Sequence, residues 1–126
     1  MVIQLLINIY YNKIMEIIES NENIIIKPYS PILNKRESYR LFESIKNISS
    51  DKIGIDLSLV NECTNEFINV LEELAQKRNI GVFNIPSDIF TIFSFMDFDK
   101  KIQLFVSQMD FENDIRQLLI RRFSVI

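Results

Sequence analysis

Hydrophobic residues along the chain fall into two patterns, short continuous runs and runs spaced by three and four positions. The continuous runs are typical of buried strands, and the spaced runs are typical of amphipathic helices. Apolar runs at 15–19 and 24–27 flank the polar stretch 20–23, which predicts a β-hairpin. The prolines that follow favour an irregular loop over residues 28–33.

Beyond this loop, helix and strand patterns alternate. Asn34 and Ser87 are residue types that commonly cap the first turn of a helix. The predicted elements are helices over 34–47, 64–77, 87–96 and 110–122, and strands over 53–56, 79–85 and 102–106. The resulting order is β-β-α-β-α-β-α-β-α, which predicts an α/β domain with a mostly parallel four- to five-stranded sheet and about four helices.

The first 14 residues are apolar and rich in Ile, Asn and Tyr. They are too short, and too often interrupted by Asn, to predict a transmembrane helix. They also lack the early positive charge and the small-residue cleavage site of a signal peptide. Two interpretations stay open, an extra helix or strand lying on the domain and a tail upstream of the true start. We therefore predict an extension over residues 1–14 and one domain over residues 15–126.

Composition narrows the class of partner. A chain of 126 residues that is 48% hydrophobic and 25% charged is typical of one globular domain with a real core. Its net charge of −3 disfavours a nucleic-acid partner, although a local basic patch stays possible. No stretch predicts direct insertion into a membrane.

The chemistry of the chain is sparse. It contains no histidine, which removes the commonest general base and the commonest metal ligand. Cys63 is the single cysteine, so an internal disulfide and a cysteine metal cluster are excluded. This usage fits a reducing cytoplasm. The sequence therefore argues against an enzyme and predicts no cofactor and no metal.

Asp56 marks the most promising site, because it ends a buried strand and ligands of α/β sheets gather at the carboxyl ends of strands. Gly54 and Gly81 are the only glycines and both lie in predicted strands, so glycine-rich phosphate loops are excluded. A receiver domain would need an acid pair that is not evident. A metal- or nucleotide-using enzyme built on Asp56, Glu62 and Glu66 stays as an alternative to a solvated loop.

Residues 55–71 resemble the signature D-L-S-x-V-x-x-x-D-S-S-G-L-x-x-L of STAS domains, the fold of bacterial anti-sigma-factor antagonists. Residues 85–98 resemble the family's later segment S-P-x-V-x-x-x-L-x-x-x-G-L at the family's spacing. The resemblance covers about residues 15–120, and the order of elements agrees throughout. It implies a small domain that docks a protein partner, an anti-sigma factor or a related kinase-like regulator.

The sequence departs from the family signature at the positions through which phosphoregulated members are controlled. In phosphoregulated members the hydroxyl that follows the conserved Asp accepts phosphate from the partner. Here Thr64 takes the Asp position and Asn65 takes the acceptor position, so the usual phosphoswitch is predicted to be absent. Glu66 replaces the second Ser. Two interpretations stay open, an ordinary acid at a helix start without a regulatory role, which is favoured, and a carboxylate that imitates part of the charge of a phosphate. Phe67 replaces the Gly and is predicted to be core.

We therefore predict a non-enzymatic, cytoplasmic protein-interaction domain. Its predicted partner-binding residues are Asp56, Ser58, Thr64, Asn65, Glu66 and Ser87. Aromatic side chains are common contact points in such surfaces, and Phe90, Phe95 and Phe98 are candidates if they are exposed. The alternative, also suggested by the resemblance, is a STAS-like subunit of a membrane-transporter complex that binds a cytoplasmic ATPase.

Overall fold

The computed structural model describes residues 15–20 and 22–117. The extension predicted over residues 1–14 lies outside this part, as do residues 118–122 of the last predicted helix. In chain order the elements are β1 (Met15–Ser20), β2 (Asn23–Pro28), β3 (Ile32–Leu33), α1 (Lys35–Lys46), β4 (Lys52–Asp56), β5 (Glu62–Cys63), α2 (Asn65–Lys77), β6 (Asn79–Phe83), α3 (Ser87–Phe95), a 3-10 turn (Phe98–Lys100), β7 (Gln103–Leu104) and α4 (Gln108–Glu112).

Five of these strands form one sheet in the order β1-β2-β4-β6-β7. β1 pairs with β2 in antiparallel register, and all the other neighbours in this sheet are parallel. The predicted α/β architecture with a mostly parallel sheet and about four helices is therefore confirmed. A second, two-stranded parallel sheet joins β3 to β5. β3 lies within the loop that the prolines predicted to be irregular.

Local backbone chemistry explains where several elements begin. Glu22 has a φ of 68° in the hairpin turn, so β1 and β2 run closer to the turn than predicted. α1 begins after Asn34, whose side chain accepts a hydrogen bond from the Glu37 N–H at 3.0 Å, as predicted. The predicted cap at Ser87 is wrong. Pro86 is the cap residue, and Ser87 is the first residue of α3.

The last predicted helix is wrong over residues 113–117, because α4 already ends at Glu112. Asp114 adopts the left-handed conformation with a φ of 58°. Its N–H donates to Phe111 O at 3.2 Å, and the N–H of Ile115 donates to Asp110 O at 2.8 Å. These two bonds form a Schellman motif, which ends a helix by satisfying its last carbonyls. The strands predicted over 79–85 and 102–106 are also shorter than expected.

The two faces of the sheet are covered differently. The apolar sides of α1, α2 and α3 pack on one face and form the larger core. Its central side chains include Ile26, Leu41, Ile45, Ile53, Ile55, Phe67, Leu71, Val82, Ile89 and Phe93. On the other face, Phe111 of α4 packs with Ile25, Phe83 and Phe105. The polar residues predicted as a site lie at the carboxyl end of the parallel strands, where Asp56 ends β4 and Ser87 follows β6.

Candidate functional site

The site is built at the carboxyl ends of β4 and β6. Asp56 is the last residue of β4 and is only 6% exposed. Its Oδ1 accepts hydrogen bonds from the Ser58 N–H at 2.9 Å and from Nδ2 of Asn84 at 3.2 Å. Asn84 follows β6 with a φ of 53°, and its own N–H donates to Val106 O at 3.3 Å. Asp56 and Asn84 thus hold together the loops that follow β4, β6 and β7.

The loop after β4 is a rigid turn with an exposed tip. The N–H of Leu57 donates to Phe83 O at 3.1 Å, which extends the pairing of β4 with β6 by one residue. Val60 closes the turn by donating its N–H to Leu57 O at 3.0 Å. The side chains of Leu57 and Val60 are fully buried, whereas Ser58 is exposed and Leu59 is 42% exposed. The two buried side chains fix the turn, and the two exposed ones are available for contact.

Thr64, the residue before α2, is hydrogen-bonded to β3. Its N–H donates to Leu33 O at 3.1 Å, and its hydroxyl donates to the same oxygen at 3.0 Å. The hydroxyl makes no cap bond to α2. Thr64 is half-buried, so its role in the structure is to position the loop.

Asn65 and Glu66 are the first two residues of α2, and both side chains are exposed. The unpaired N–H groups of a helix start carry partial positive charge, so a carboxylate at Glu66 is stabilised there. Phe67 is fully buried in the larger core, as predicted. The first turn of α2 therefore presents one amide and one carboxylate to solvent over a fixed apolar base.

Ser87 lies at the same end of the molecule. α2 runs back from this edge to β6, and α3 starts from it after β6, so both helix starts lie at the carboxyl edge. α3 also contacts β5, the strand that leads into α2. Of the aromatic candidates on this segment, Phe95 is 87% exposed and Phe90 is half-buried. Phe98 is fully buried, so it does not meet the condition of exposure and is a core residue.

The alternative metal site does not form. Asp56, Glu62 and Glu66 all lie in the described part of the chain, and no group of three or more potential metal-ligating side chains comes together there. Cys63 is half-buried beside them, and burial raises the pKa of its thiol to about 11. This thiol is protonated at neutral pH and is a poor nucleophile.

Solved structures resemble this architecture over most of its length. A protein described as an anti-sigma factor antagonist from Thermotoga maritima matches with a TM-score of 0.72 and 11% identity, over 84% of this chain and 97% of that one. An anti-sigma factor antagonist from Mycobacterium paratuberculosis matches with a TM-score of 0.72 and 15% identity, over 80% and 92%. The chain has the STAS fold.

The same fold is found within a much larger protein. The murine anion transporter Slc26a9 matches over 85% of this chain but only 20% of its own length, with a TM-score of 0.61 and 19% identity. No protein-family model matches the sequence. No curated protein sequence matches it either. None of the described helices is long and apolar enough to cross a membrane.

Asn84 is a site residue of this STAS fold that the sequence prediction missed. It sits beside Asp56 because Phe83, the residue before it, pairs with Asp56 in the register of β4 and β6. Asn is the residue type, after Gly, that most readily adopts a positive φ. An Asn placed directly after a buried strand, beside a neighbouring strand that ends in Asp, is a signal that could have found it.

Proposed function

We propose that this chain is a protein-interaction domain that docks a regulatory protein through the carboxyl edge of its sheet. The docking surface consists of the loop and helix start over residues 56–67 together with the start of α3. Ser58, Asn65, Glu66 and Ser87 are its exposed polar contacts, and Asp56 and Thr64 position it. The exposure of Asn65 and Glu66 on a first turn fixed by Thr64 carries this proposal.

The local geometry favours docking over catalysis. The carboxylate of Asp56 is buried and receives two hydrogen bonds from the protein. The hydroxyl of Thr64 is bound to a main-chain carbonyl, and the thiol of Cys63 is protonated. Asp56 and Thr64 are thus committed to holding the loop in shape. A preorganised surface of this kind lowers the conformational entropy lost on binding a partner.

The proposed surface works without phosphorylation of its acceptor position. Asn65 has no hydroxyl, and the neighbouring hydroxyl of Thr64 donates to Leu33 O. Phosphorylation of Thr64 would break that bond and pull the loop away from β3. Glu66 instead supplies one permanent negative charge at the start of α2. The partner therefore meets the same charge at all times.

The likeness to anti-sigma factor antagonists suggests the partner class, an anti-sigma factor or a related kinase-like regulator. In a direct test, a regulator of this class from the same genome and the full chain are each purified, and their binding affinity is measured by biolayer interferometry. We expect Asn65→Arg and Glu66→Arg each to weaken binding by about fivefold or more, because loss of a central interface contact costs about 1 kcal/mol or more. Unchanged binding by both variants would overturn the proposed surface.

Glu73→Arg is the matched control for Glu66→Arg. Glu73 is exposed on the same helix, two turns further along, and the substitution changes the net charge by the same amount. It should leave binding within about twofold of wild type, since a charge outside the interface acts only through screened long-range forces. Equal losses for both variants would indicate a general charge effect rather than docking at the first turn.

A second experiment tests the absence of the switch. The same regulator is incubated with ATP and either wild type or Asn65→Ser, and the protein mass is measured. We expect wild type to keep its mass and its partner binding. Phosphate transfer to wild type at Ser58, Thr64 or Ser87 would contradict a constitutive surface.

The second candidate function is that of a STAS-like subunit in a membrane-transporter complex. The match to a segment of Slc26a9 over 85% of this chain favours it. In this case the carboxyl edge would bind a cytoplasmic ATPase of the transporter. Binding of a purified transporter ATPase, lost in Glu66→Arg and kept in Glu73→Arg, together with no binding of the kinase-like regulator, would support this candidate over the first.

A further inference from the structure

The amino-terminal edge of the sheet carries a cavity that has no part in the proposed docking surface. It has a volume of about 330 Å³ and lies between the end of α2, the 3-10 turn and the starts of β6 and β7. Ile80, Ile102 and Leu104 form its apolar floor. Small-molecule sites in proteins begin at about this volume and combine an apolar floor with a few polar groups.

Positive charge is concentrated around this cavity. Arg78, Lys100, Lys101 and Arg116 line it, and Asp99 is the one carboxylate among its described lining residues. The whole chain has 14 basic and 17 acidic residues, so a lining with four cations and one acid opposes the overall balance. A concave surface with low-dielectric walls and one sign of charge concentrates ligands of the opposite sign.

Arg78 provides a fixed charge. Its guanidinium donates to Ile45 O at 3.0 Å and to Ser50 O at 2.9 Å, and it also donates to Ile48 O. No carboxylate in the described part of the chain forms an ion pair with it. These carbonyls of residues 45–50 fix the guanidinium of Arg78, a residue that lines the cavity, and its formal charge is not compensated by an acid. An anion in the cavity would gain from that charge without reorganising it.

The other three cations can turn toward a ligand. Lys100 pairs with Asp97 at 4.0 Å, Lys101 with Glu72 at 3.3 Å, and Arg116 with Asp114 at 3.9 Å. The side chains of the three cations are 71%, 50% and 55% exposed. Exposed pairs of this kind contribute little to stability, and their acids lie outside the cavity lining. A multiply charged anion can therefore compete for these side chains.

We propose that this cavity binds a small phosphorylated molecule. The phosphate lies among Lys100, Lys101 and Arg116, in the field of Arg78, and the uncharged part of the ligand rests on the apolar floor. Arginine and lysine are the side chains that bind phosphate most effectively, through paired and point-charge hydrogen bonds. This site is independent of the docking surface, because it lies at the opposite end of the strands.

The test uses the isotope-labelled full chain and NMR titration with three probes at constant ionic strength: AMP, inorganic phosphate and adenosine. We expect AMP and phosphate to shift the amide signals of the 3-10 turn and of the first residues of β6 and β7 at millimolar concentration or below. Adenosine should have at least about tenfold lower affinity than AMP, because a charged hydrogen bond contributes about tenfold or more. Equal affinities for AMP and adenosine would overturn the proposal. So would the absence of shifts with any probe at a concentration about tenfold above the millimolar range.

Charge reversal locates the site. Lys100→Glu combined with Arg116→Glu should weaken AMP binding by at least about tenfold, on the same reasoning. Lys35→Glu combined with Arg36→Glu makes the same change in net charge on the first turn of α1, at the far edge, and should leave the affinity unchanged. If the first pair fails to fold, Lys100→Gln combined with Arg116→Gln replaces it. Retained AMP binding in a folded Lys100 and Arg116 variant would refute the site.

Discussion

The two faces of the sheet achieve burial by different means. On the face covered by α1, α2 and α3, Ile, Leu, Val and Phe side chains from sheet and helices interdigitate. On the opposite face, Gly54 and Gly81 lie side by side in β4 and β6 and leave room for aromatic rings. The ring of Phe111, from the five-residue helix α4, lies against both glycines, with Phe83 and Phe105 beside it.

Lys52 also contacts Phe111 on this second face. Its Nζ lies 4.5 Å from the centre of the Phe111 ring and also donates to Phe111 O. Phe83 stacks on Phe111 with ring centroids 5.4 Å apart, and Phe105 meets it edge to face at the same distance. A short helix can thus dock firmly through one residue. The comparison teaches that one face relies on many repeated contacts and the other on a single central ring.

Removal of the central ring should have the largest effect on this comparison. Phe111→Ala should lower the free energy of unfolding by about 3–5 kcal/mol, because it removes a fully buried ring and leaves a cavity over the two glycines. Phe95→Ala, at an 87% exposed position, is the control and should change stability by less than about 0.5 kcal/mol. Denaturant titration measures both, and similar small losses would show that α4 is not docked on the sheet.

Filling the space under the ring should have the next largest effect. A Cβ on Gly81 would lie 2.6 Å from a Phe105 ring carbon and 2.8 Å from one of Phe111. Gly81→Ala should therefore cost about 1–3 kcal/mol, as is typical of overpacked cores. The same denaturant titration checks it. A stabilised Gly81→Ala protein would mean that the rings move aside at no cost, in conflict with a tightly packed second face.

Loss of the cation should have a smaller effect. Lys52→Met keeps the apolar stem but removes the bond to Phe111 O and the charge over the ring, and we expect a loss of about 1–2 kcal/mol. Lys77→Met removes an exposed pair with Glu73, 3.9 Å long, and should cost at most about 0.5 kcal/mol. Thermal unfolding measures the stability of both variants. Equal losses of stability would show that the charge of Lys52 does not stabilise this face.

The smallest expected effect is that of removing a helix cap, and it compares the mobility of the helices on the two faces. Asn34 caps α1, and Ser107 caps α4 by accepting from the Asp110 N–H at 3.2 Å. Asn34→Ala and Ser107→Ala should each cost about 1 kcal/mol. Hydrogen exchange should then speed up along α4 in Ser107→Ala, because five residues have few other contacts, while α1 stays protected in Asn34→Ala. Equal protection of both helices would show that the two faces hold their helices equally well.

Sequence patterns predicted the three-helix face well. The periodic apolar positions of α1 and α2 lie in the core, and Asn34 caps α1 as expected. The same reasoning failed at α4, where the apolar spacing continued beyond residue 112 but Asn113 and Asp114 ended the helix. Periodicity reports which face of a segment is apolar, whereas the end of a helix depends on the conformation of one or two residues.

At the candidate site too, some features could be predicted from the sequence and others depended on the tertiary structure. The end of a buried strand indicated Asp56, and the resemblance to the STAS signature implied Ser58, Thr64, Asn65, Glu66 and Ser87. Their exposure and their hydrogen bonds could not be predicted, because these depend on partners far away in sequence. Asn84 lies 28 positions from Asp56, and Leu33 lies 31 positions from Thr64.

The sequence by itself determined the order of elements, the parallel sheet and the edge at which the polar loops gather, because periodicity and strand-helix alternation are local properties. Only the tertiary structure decided the register that sets Gly54 beside Gly81 and Asp56 beside Phe83. That register depends on the packing of the whole sheet. It creates both the space for Phe111 on one face and the bond between Asp56 and Asn84 at the candidate site.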